Sequence, residues 1–270
     1  MSVLVLMYHG LYSTRAELEA IDAEERPYAV NVADFTRQLD LIADLGGRSI
    51  GARDLEQDNG GAGRPRGDET SAPRVLLSFD DGHSSNKDYA LPLLRERGLS
   101  GIFFITSDFV DSRRNYLTSS AVADLARHGM TIGAHGRTHR FLESLPREEL
   151  IRDLEESRSR LQILSGQPVE TMSFPGGRYD EAAVFAARAA GYRLLFGSRP
   201  GLWNRAPAEF GEPIPRVAVR ATTSAAVLSR LASGDRMLIG RITASYRLKQ
   251  MARSILGNGL YHRLYALLKR

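Results

Sequence analysis

Two adjacent carboxylates, Asp80 and Asp81, follow the apolar run Val75–Phe79 and precede a glycine, Gly82. The run has the length and apolar character of a buried strand, and a helical pattern follows it. In α/β folds the loop at the carboxyl end of a strand carries the chemistry. Adjacent carboxylates repel each other unless a cation or a shared proton separates their roles. The pair therefore indicates either a catalytic or cation site or a simple Asp-Asp-Gly turn.

A pair of histidines, His135 and His139, follows the short apolar run Met130–Ala134 further along the chain. Their spacing lets both imidazoles face one point, on a helical turn or in a tight loop, and the flanking Gly133 and Gly136 favour the loop. Two imidazoles and one carboxylate, with positions left for water, are typical of a catalytic metal site rather than a closed structural one. Such a histidine pair alone is common on surfaces, so the Asp-Asp strand end is what makes the pattern indicative.

Three motifs in this order resemble those of the polysaccharide deacetylases, carbohydrate esterase family four. They are Ser-Phe-Asp-Asp-Gly at 78–82, His-Gly-Arg-Thr-His at 135–139 and Ser-Phe-Pro-Gly-Gly at 173–177. The resemblance extends from about Val3 to Val219 and includes Leu6–Gly10. It implies a single α/β domain, a distorted seven-stranded (β/α) barrel similar to the TIM fold. It also implies metal-dependent removal of an acyl group from an amino sugar of a chitooligosaccharide, peptidoglycan or exopolysaccharide.

The resemblance implies a role for each motif residue. Asp81, His135 and His139 are expected to hold a divalent metal, zinc first, because one carboxylate and two imidazoles suit zinc and also cobalt, nickel or iron. Asp80 is expected to be the general base that takes a proton from water. The backbone N–H of Gly176 is expected to stabilise the oxyanion, although a Phe-Pro-Gly-Gly turn is common without such a role.

This chain departs from the family pattern in its third motif. Ser173 stands where the family has an arginine, and Gly176 stands where it has an aromatic residue. The charge that orients Asp80 must then come from elsewhere, and Arg178 and Arg216 are the candidates. We assign Arg216 to the catalytic set.

The family's late Leu-x-His motif also has no counterpart, since the one histidine after Arg216 is His262. The run Val5–His9 has the same shape at the start of the chain. If the barrel is circularly permuted relative to the common family form, the first strand delivers His9 as the general acid that protonates the leaving amine. The alternative is a structural histidine.

Three further side chains are expected to contact the substrate: Pro175, Trp203 and His83. Trp203 is the single tryptophan, and it lies where the family often has an aromatic wall. The alternatives are a core position for Trp203 and an exposed surface position for His83.

The elements that must position these residues alternate along the chain, which predicts parallel strands with crossover helices. The first strand is expected at 3–8 and a helix at 34–45, with an acidic loop over the catalytic face between them. Strands are expected at 75–79, 101–106, 131–134, 170–174, 192–197 and 216–219. Helices are expected at 86–97, 118–128, 147–164, 180–190 and 221–231. We divide the chain into a barrel, 1–240, and a tail, 241–270, with a flexible connector at 57–73.

Composition limits the classes of protein that fit. The chain has 270 residues, 43% hydrophobic and 25% charged, which suits one large α/β barrel. It has no cysteine, which excludes disulfides and thiolate ligands. Its first apolar run is too short for a signal peptide or a membrane span, so a cytoplasmic location is expected. Seven of the 36 basic residues lie after position 240, which leaves a slightly acidic body, so no nucleic-acid partner is expected.

The tail interleaves apolar and basic residues from Tyr246 onward, and Gly257–Gly259 divides it. This pattern is typical either of peripheral contact with an anionic membrane, here its inner face, or of helices packed on the barrel. The expected function is metal-dependent hydrolysis of N-acetyl groups on a glycan of the N-acetylglucosamine type. The alternatives are deacetylation or deformylation of a lipid-linked amino sugar, a catalytically inactive glycan-binding relative, or the same chemistry on a cyclic imide or ureide.

Overall fold

A computed structural model of the protein describes residues 2–45, 49–57, 72–204, 212–248 and 251, with the backbone alone at positions 53, 56 and 57. Strands and helices alternate within these ranges, as predicted. The strands are β1 (Ser2–Tyr8), β2 (Leu11–Tyr12), β3 (Val30–Asn31), β4 (Ser49–Ile50), β5 (Arg74–Phe79), β6 (Gly101–Ile105), β7 (Thr131–Ala134), β8 (Thr171–Ser173), β9 (Leu194–Phe196), β10 (Trp203–Asn204) and β11 (Val217–Ala218).

The main sheet has the strand order β10-β1-β5-β6-β7-β8-β9, with β4 also paired to β5 and β11 to β1. All of these pairs are parallel except β1 with β10. The seven strands of this path curl into a half-barrel, which confirms the predicted α/β barrel fold. Because Tyr8 of β1 is paired with Phe79 of β5, the carboxyl ends of these two strands lie side by side.

Alternate residues along each strand face two different cores. The larger core lies between the sheet and the helices and contains Leu4, Leu6, Leu77, Phe79 and Phe103 together with helix residues. The smaller core lies inside the curl and contains Val3, Val5, Leu76, Ile102, Phe104 and Phe196. Asp80 follows Leu76 at an even spacing, so its side chain points into the curl.

Residues 214–218 bridge the two edges of the curled sheet. Ile214 forms a parallel bridge with Phe196 of β9, and Val217 is paired with Leu6 of β1. Arg216 lies between these two contacts with its side chain fully buried. The closure of the half-barrel therefore places a guanidinium inside it.

The helices cover the outer face, and the side chains of Thr118, Asp180 and Ser224 each accept a hydrogen bond at the N-terminus of the helix that follows them. The helices are α1 (Arg15–Ala20), α2 (Val32–Ala43), α3 (Ala52–Gln57), α4 (Leu91–Glu96), α5 (Ser119–Arg127), α6 (Arg147–Ser165), α7 (Glu181–Ala189), α8 (Ala225–Ala232) and α9 (236–248). A π-helical turn, Asn86–Ala90, runs directly into α4.

Helix α9 crosses the boundary that we predicted at residue 240, and the division into barrel and tail stays a prediction. Ile239 is buried, and Leu238 and Ile242 pack on the larger core. Most of the predicted connector at 57–73, and the tail after Met251, lie outside the described residues. None of the helices in the described ranges is long and apolar enough to cross a membrane.

Candidate active site

Asp80 and Asp81 lie in the turn that follows β5, and backbone hydrogen bonds hold this turn from three directions. The N–H of Asp80 donates to the carbonyl of Tyr8 at 2.9 Å, and the N–H of Thr106 donates to the carbonyl of Asp81 at 3.3 Å. The N–H of Leu117 donates to the carbonyl of Gly82 at 2.9 Å. Asp81 has a φ of +73°, which is costly for a residue with a side chain and persists where the surroundings impose it.

Asp81, His135 and His139 converge on one point, as predicted. The Oδ1 atom of Asp81 lies 3.3 Å from Nε2 of His135 and 3.2 Å from Nε2 of His139. Burial by itself raises the pKa of Asp81, but the two neighbouring histidines outweigh it and hold that pKa well below its usual value. The three donor atoms all lie within 4.8 Å of one another. They are one carboxylate and two imidazoles, which suits a divalent ion with open positions.

His135 is fixed in the tautomer that a metal ligand requires. Its Nδ1 lies 2.9 Å from the carbonyl oxygen of Ser173, which can only accept, so Nδ1 carries the proton and donates it. Nε2 is then left as a lone-pair donor that faces Asp81. A hydrogen bond of this kind, on the far side of a ligating imidazole, sets ring orientation and ligand basicity.

The loop that carries both histidines is shaped by a buried carboxylate of α6. Asp153 accepts hydrogen bonds from the N–H of Arg137 at 2.7 Å and from the hydroxyl of Thr138 at 3.1 Å. The loop turns twice through positive φ, at Gly136 (+70°) and at His139 (+63°). Asp153 therefore holds the two residues between the histidines while the turns direct both imidazoles to one side.

Asp80 forms a bidentate ion pair with Arg216 inside the half-barrel. The two guanidinium nitrogens each lie 2.7 Å from one carboxylate oxygen. Burial raises the pKa of Asp80, but the Arg216 charge, and then His135, outweigh it and hold that pKa below its usual value. Arg216 also donates to the carbonyl of Gly197 at 2.8 Å, so the arginine is itself fixed. Of the two candidates, Arg216 is therefore the one that contacts Asp80, since Arg178 instead pairs with Glu143.

Ser173, at the position of the family's arginine, connects the two halves of the site. Its hydroxyl lies 2.5 Å from Nδ1 of His135 and 3.4 Å from Oδ1 of Asp80. The side chain of Arg216 reaches the same carboxylate from the other edge of the sheet. The guanidinium is thus supplied by a different segment of the chain, the one that bridges the sheet edges, and a small hydroxyl occupies the position of the family's arginine.

A cavity of about 840 Å³ opens over these residues. Asp80, Asp81, His135 and His139 line it, together with His9 from the end of β1. The His9 ring lies 4.9 Å from that of Tyr28, and no described residue hydrogen-bonds its buried Nδ1. Burial lowers the pKa of His9. The structure therefore places His9 in the wall of the same cavity as the aspartate pair.

Gly176 also lines the cavity, with a φ of +62° that favours glycine. A Cβ atom at this position would lie 2.6 Å from the ring of Phe141. The Phe141 ring therefore occupies the space beside Gly176, where the family motif has its aromatic residue.

Comparison with known proteins shows similarity at the level of both sequence and fold. Residues 67–195 match the polysaccharide deacetylase family, and this range carries the aspartate pair, both histidines and Ser173. Over this range the chain is similar to polysaccharide deacetylases. The protein named "Putative polysaccharide deacetylase YxkH" of Bacillus subtilis strain 168 is 28% identical over 205 residues, 74% of this chain. The match covers 66% of that relative, so the chain spans slightly less than two thirds of its length.

Solved deacetylase structures share the fold of this chain. The Streptococcus pyogenes deacetylase PplD, in complex with acetate, has a TM-score of 0.73 at 19% identity and covers 86% of this chain and 98% of its own. IcaB from Ammonifex degensii has a TM-score of 0.67 at 22% identity, with coverages of 86% and 97%. BC0361, a polysaccharide deacetylase from Bacillus cereus, has a TM-score of 0.70 at 21% identity, with coverages of 85% and 68%. At these identities the likeness concerns the fold.

The fold does not place Trp203 at the candidate active site. Trp203 is paired with Val3 at the amino end of β1, whereas His9 lies at the opposite end. Six residues of extended chain span about 20 Å. Trp203 packs against the smaller core inside the curl. The predicted stacking on a sugar ring is therefore wrong, and the alternative of a core position is the one observed.

Two other predicted substrate contacts are also displaced. Pro175 is buried, and its ring lies 3.3 Å from the position that a Cβ atom of Gly136 would take, so it supports the histidine loop. His83 is buried rather than exposed, and it lies behind Glu25, a residue that does line the cavity. The carboxylate of Glu25, not the imidazole of His83, is therefore presented to a ligand.

Sequence reasoning missed Asp153 and Glu25. Asp153 interrupts the apolar face of α6 between Leu150 and Leu154, and a charged residue on such a face is a detectable signal of a buried role. Glu25 belongs to an acidic segment that we interpreted only as a covering loop, and the pattern of that segment does not distinguish it from its exposed neighbours.

Proposed function

We propose that this chain is a metal-dependent amide hydrolase that removes N-acetyl groups from amino sugars of the N-acetylglucosamine type in a poly- or oligosaccharide. The observation that carries the proposal is the arrangement at one cavity of a buried, arginine-paired Asp80 and a convergent Asp81, His135 and His139. A binding module has no need of this combination, whereas amide hydrolysis needs a base, a Lewis acid and a fixed geometry. Exopolysaccharide metabolism is the setting that we propose.

The donor set fits a divalent ion, for which zinc is our first choice and cobalt, nickel or iron are alternatives. Asp81, His135 and His139 would hold it, and the locked tautomer of His135 supports this assignment. When bound, such an ion polarises an acyl carbonyl and lowers the pKa of a bound water.

Asp80 acts in this proposal as the general base that accepts a proton from the attacking water. The Arg216 charge keeps Asp80 ionised, and the bidentate contact fixes the plane of its carboxylate. His9 acts as the general acid that protonates the leaving amine. The backbone N–H of Gly176 stabilises the negative charge that develops on the acyl oxygen.

The alternative of an inactive glycan-binding relative rested on a missing arginine and a missing histidine. In the fold, Arg216 contacts Asp80 and His9 lines the cavity, so neither group is absent from the site. This supports the enzyme. A lipid-linked amino sugar with an acetyl or formyl group would use the same residues and is the second candidate, favoured by the basic helix α9 at the rim of the cavity.

The test combines elemental analysis of metal in the purified protein with acetate release from short N-acetylglucosamine oligomers. D80N is the control, because it keeps the size of the side chain and removes the base. Bound metal with release that D80N abolishes is the expected result. Bound metal without acetate release would favour a formylated or lipid-linked substrate. No bound metal after reconstitution would overturn the proposal that the chain is a metal-dependent enzyme.

We also propose a cytoplasmic location, with peripheral contact of the tail at the inner face of a membrane, and a glycan rather than a nucleic acid as the partner. The excess of basic charge after residue 240 and the slightly acidic body support this distribution.

A further inference from the structure

Glu25 is a carboxylate in the wall of the active cavity that the mechanism above does not use. It lies between α1 and β3, and its side chain is 24% exposed on the cavity side. A donor oxygen of Glu25 lies within 4.8 Å of one of Asp81. A group that contacts Glu25 therefore lies within the span of a single sugar ring from the metal-binding residues.

Two buried side chains hold this carboxylate from behind. Nε2 of His83 donates to Oε2 of Glu25 at 3.0 Å, and the hydroxyl of Tyr116 donates to Oε1 at 3.2 Å. The rings of His83 and Tyr116 are stacked at 4.8 Å, and both are largely buried. The position of Glu25 is therefore fixed before any ligand binds.

The charge of Glu25 is not needed to anchor the acidic loop, between α1 and β3, that covers the cavity. Arg26 already binds the carbonyls of Ile21 and Glu19, at 2.9 and 2.7 Å, and Asn115 binds that of Ala20 at 3.1 Å. A second carboxylate close to Asp81 is electrostatically unfavourable. A neutral side chain would anchor the segment without this repulsion.

We propose that Glu25 is a substrate-binding residue that accepts hydrogen bonds from hydroxyl groups of the sugar bearing the scissile amide. An ionised carboxylate has about four lone-pair sites. His83 and Tyr116 use the sites that face the protein, which leaves the cavity side for two neighbouring hydroxyls. The inference rests on the proposed function and adds to it how the sugar ring is oriented over the base.

The experiment measures binding of short N-acetylglucosamine oligomers by calorimetry to the metal-loaded D80N protein, which holds substrate without turning it over. E25Q is added to this background, because glutamine keeps the shape and removes the charge. We expect binding to weaken about tenfold or more, since hydrogen bonds to a charged group are the strong ones. In the otherwise wild-type protein, E25Q should raise KM more than it lowers kcat.

The matched control is R26A, which loosens the same segment but leaves Glu25, His83 and Tyr116 in place. R26A should leave the Kd of the oligomer within twofold, and metal content should be equal in all variants. Equal binding with and without E25Q would overturn the inference, as would equal weakening by R26A and E25Q. If the wild-type protein hydrolyses the oligomers, either of these two results overturns the role of Glu25 but leaves the proposed function standing. If the parent neither binds nor hydrolyses any of them, the proposed function falls and the inference with it.

Discussion

The Asp80–Arg216 pair is fully buried, so each charge depends on the other. A buried carboxylate without its partner is raised in pKa and loses its fixed orientation. Arg216 therefore has two separable effects on Asp80, one on its ionisation and one on its geometry. Lysine keeps a positive charge and reproduces part of the first effect, but it lacks the planar fork that produces the second.

For R216K we expect kcat/KM to fall about tenfold to a hundredfold through loss of the bidentate contact. Asp80 acts in its ionised form, so activity is lost as the pH falls through its pKa. Because Arg216 lowers that pKa, the substitution raises it and moves the acidic limb of the pH–rate profile to higher pH. R178K is the control, because Arg178 pairs with Glu143 and should leave the limb in place. An unshifted limb in R216K would contradict the assignment.

His9 combines a cavity position with a pKa that burial lowers, and a lowered pKa makes its protonated form a stronger acid toward a leaving amine. We expect H9Q to lower kcat by about 10²- to 10⁴-fold, the usual contribution of a general acid, with metal content unchanged. Single-turnover kinetics and elemental analysis check this. Wild-type turnover by metal-loaded H9Q would show that His9 is structural.

Helix α6 and the histidine loop act as one element, because the Asp153 carboxylate fixes Arg137 and Thr138 between the two histidines. The loop turns through positive φ at His139, a conformation that needs such support. We therefore assign to Asp153 a positioning role that acts through the loop backbone.

D153A should weaken metal affinity about tenfold to a hundredfold, as the loss of supporting hydrogen bonds around metal ligands does. Titration of the metal-free protein with zinc and a competing chelator measures this without reference to turnover. The control is E156A, since Glu156 pairs with Arg137 at the exposed surface and should leave the affinity unchanged. Equal affinity of D153A and wild type would show that the loop keeps its shape without Asp153.

At the scale of strands and helices, the sequence predicted the structure well wherever the signal was a local motif or a periodic pattern of apolar residues. The strands 75–79 and 131–134 and the helix 147–164 were predicted within one residue at each end, because apolar periodicity records which face is buried. The contact of Arg216 with Asp80 was one of two candidates, since it depends on residues 214–218 bridging distant edges of the sheet. Trp203 was misplaced for the same reason, because a two-residue antiparallel pairing with β1 leaves no periodic signal.

At the scale of the whole molecule, helix α9 packs on the barrel although the sequence analysis assigned most of it to the tail. Helix α9 contributes Arg241, Ile242 and Tyr246 to the wall of the active cavity. Its residues Leu238, Ile239 and Ile242 pack toward the barrel, so they are not available to a membrane. Met237, Leu248 and Met251 are exposed instead. Membrane contact by the tail would therefore use the outer face of α9 and the residues beyond it.

A protein that ends at Met251 tests this division. It loses four basic residues, Arg253, Arg263, Lys269 and Arg270, each of which contributes about 1 kcal/mol near an anionic surface. We expect the full chain to co-sediment with phosphatidylglycerol vesicles and to be released by salt, while the shortened protein stays in solution. Because the cavity-lining part of α9 is retained, hydrolysis of a soluble oligomer should be equal in the two proteins. Equal sedimentation of both would contradict membrane contact by the tail, and lost hydrolysis in the shortened protein would instead show that the tail supports the barrel.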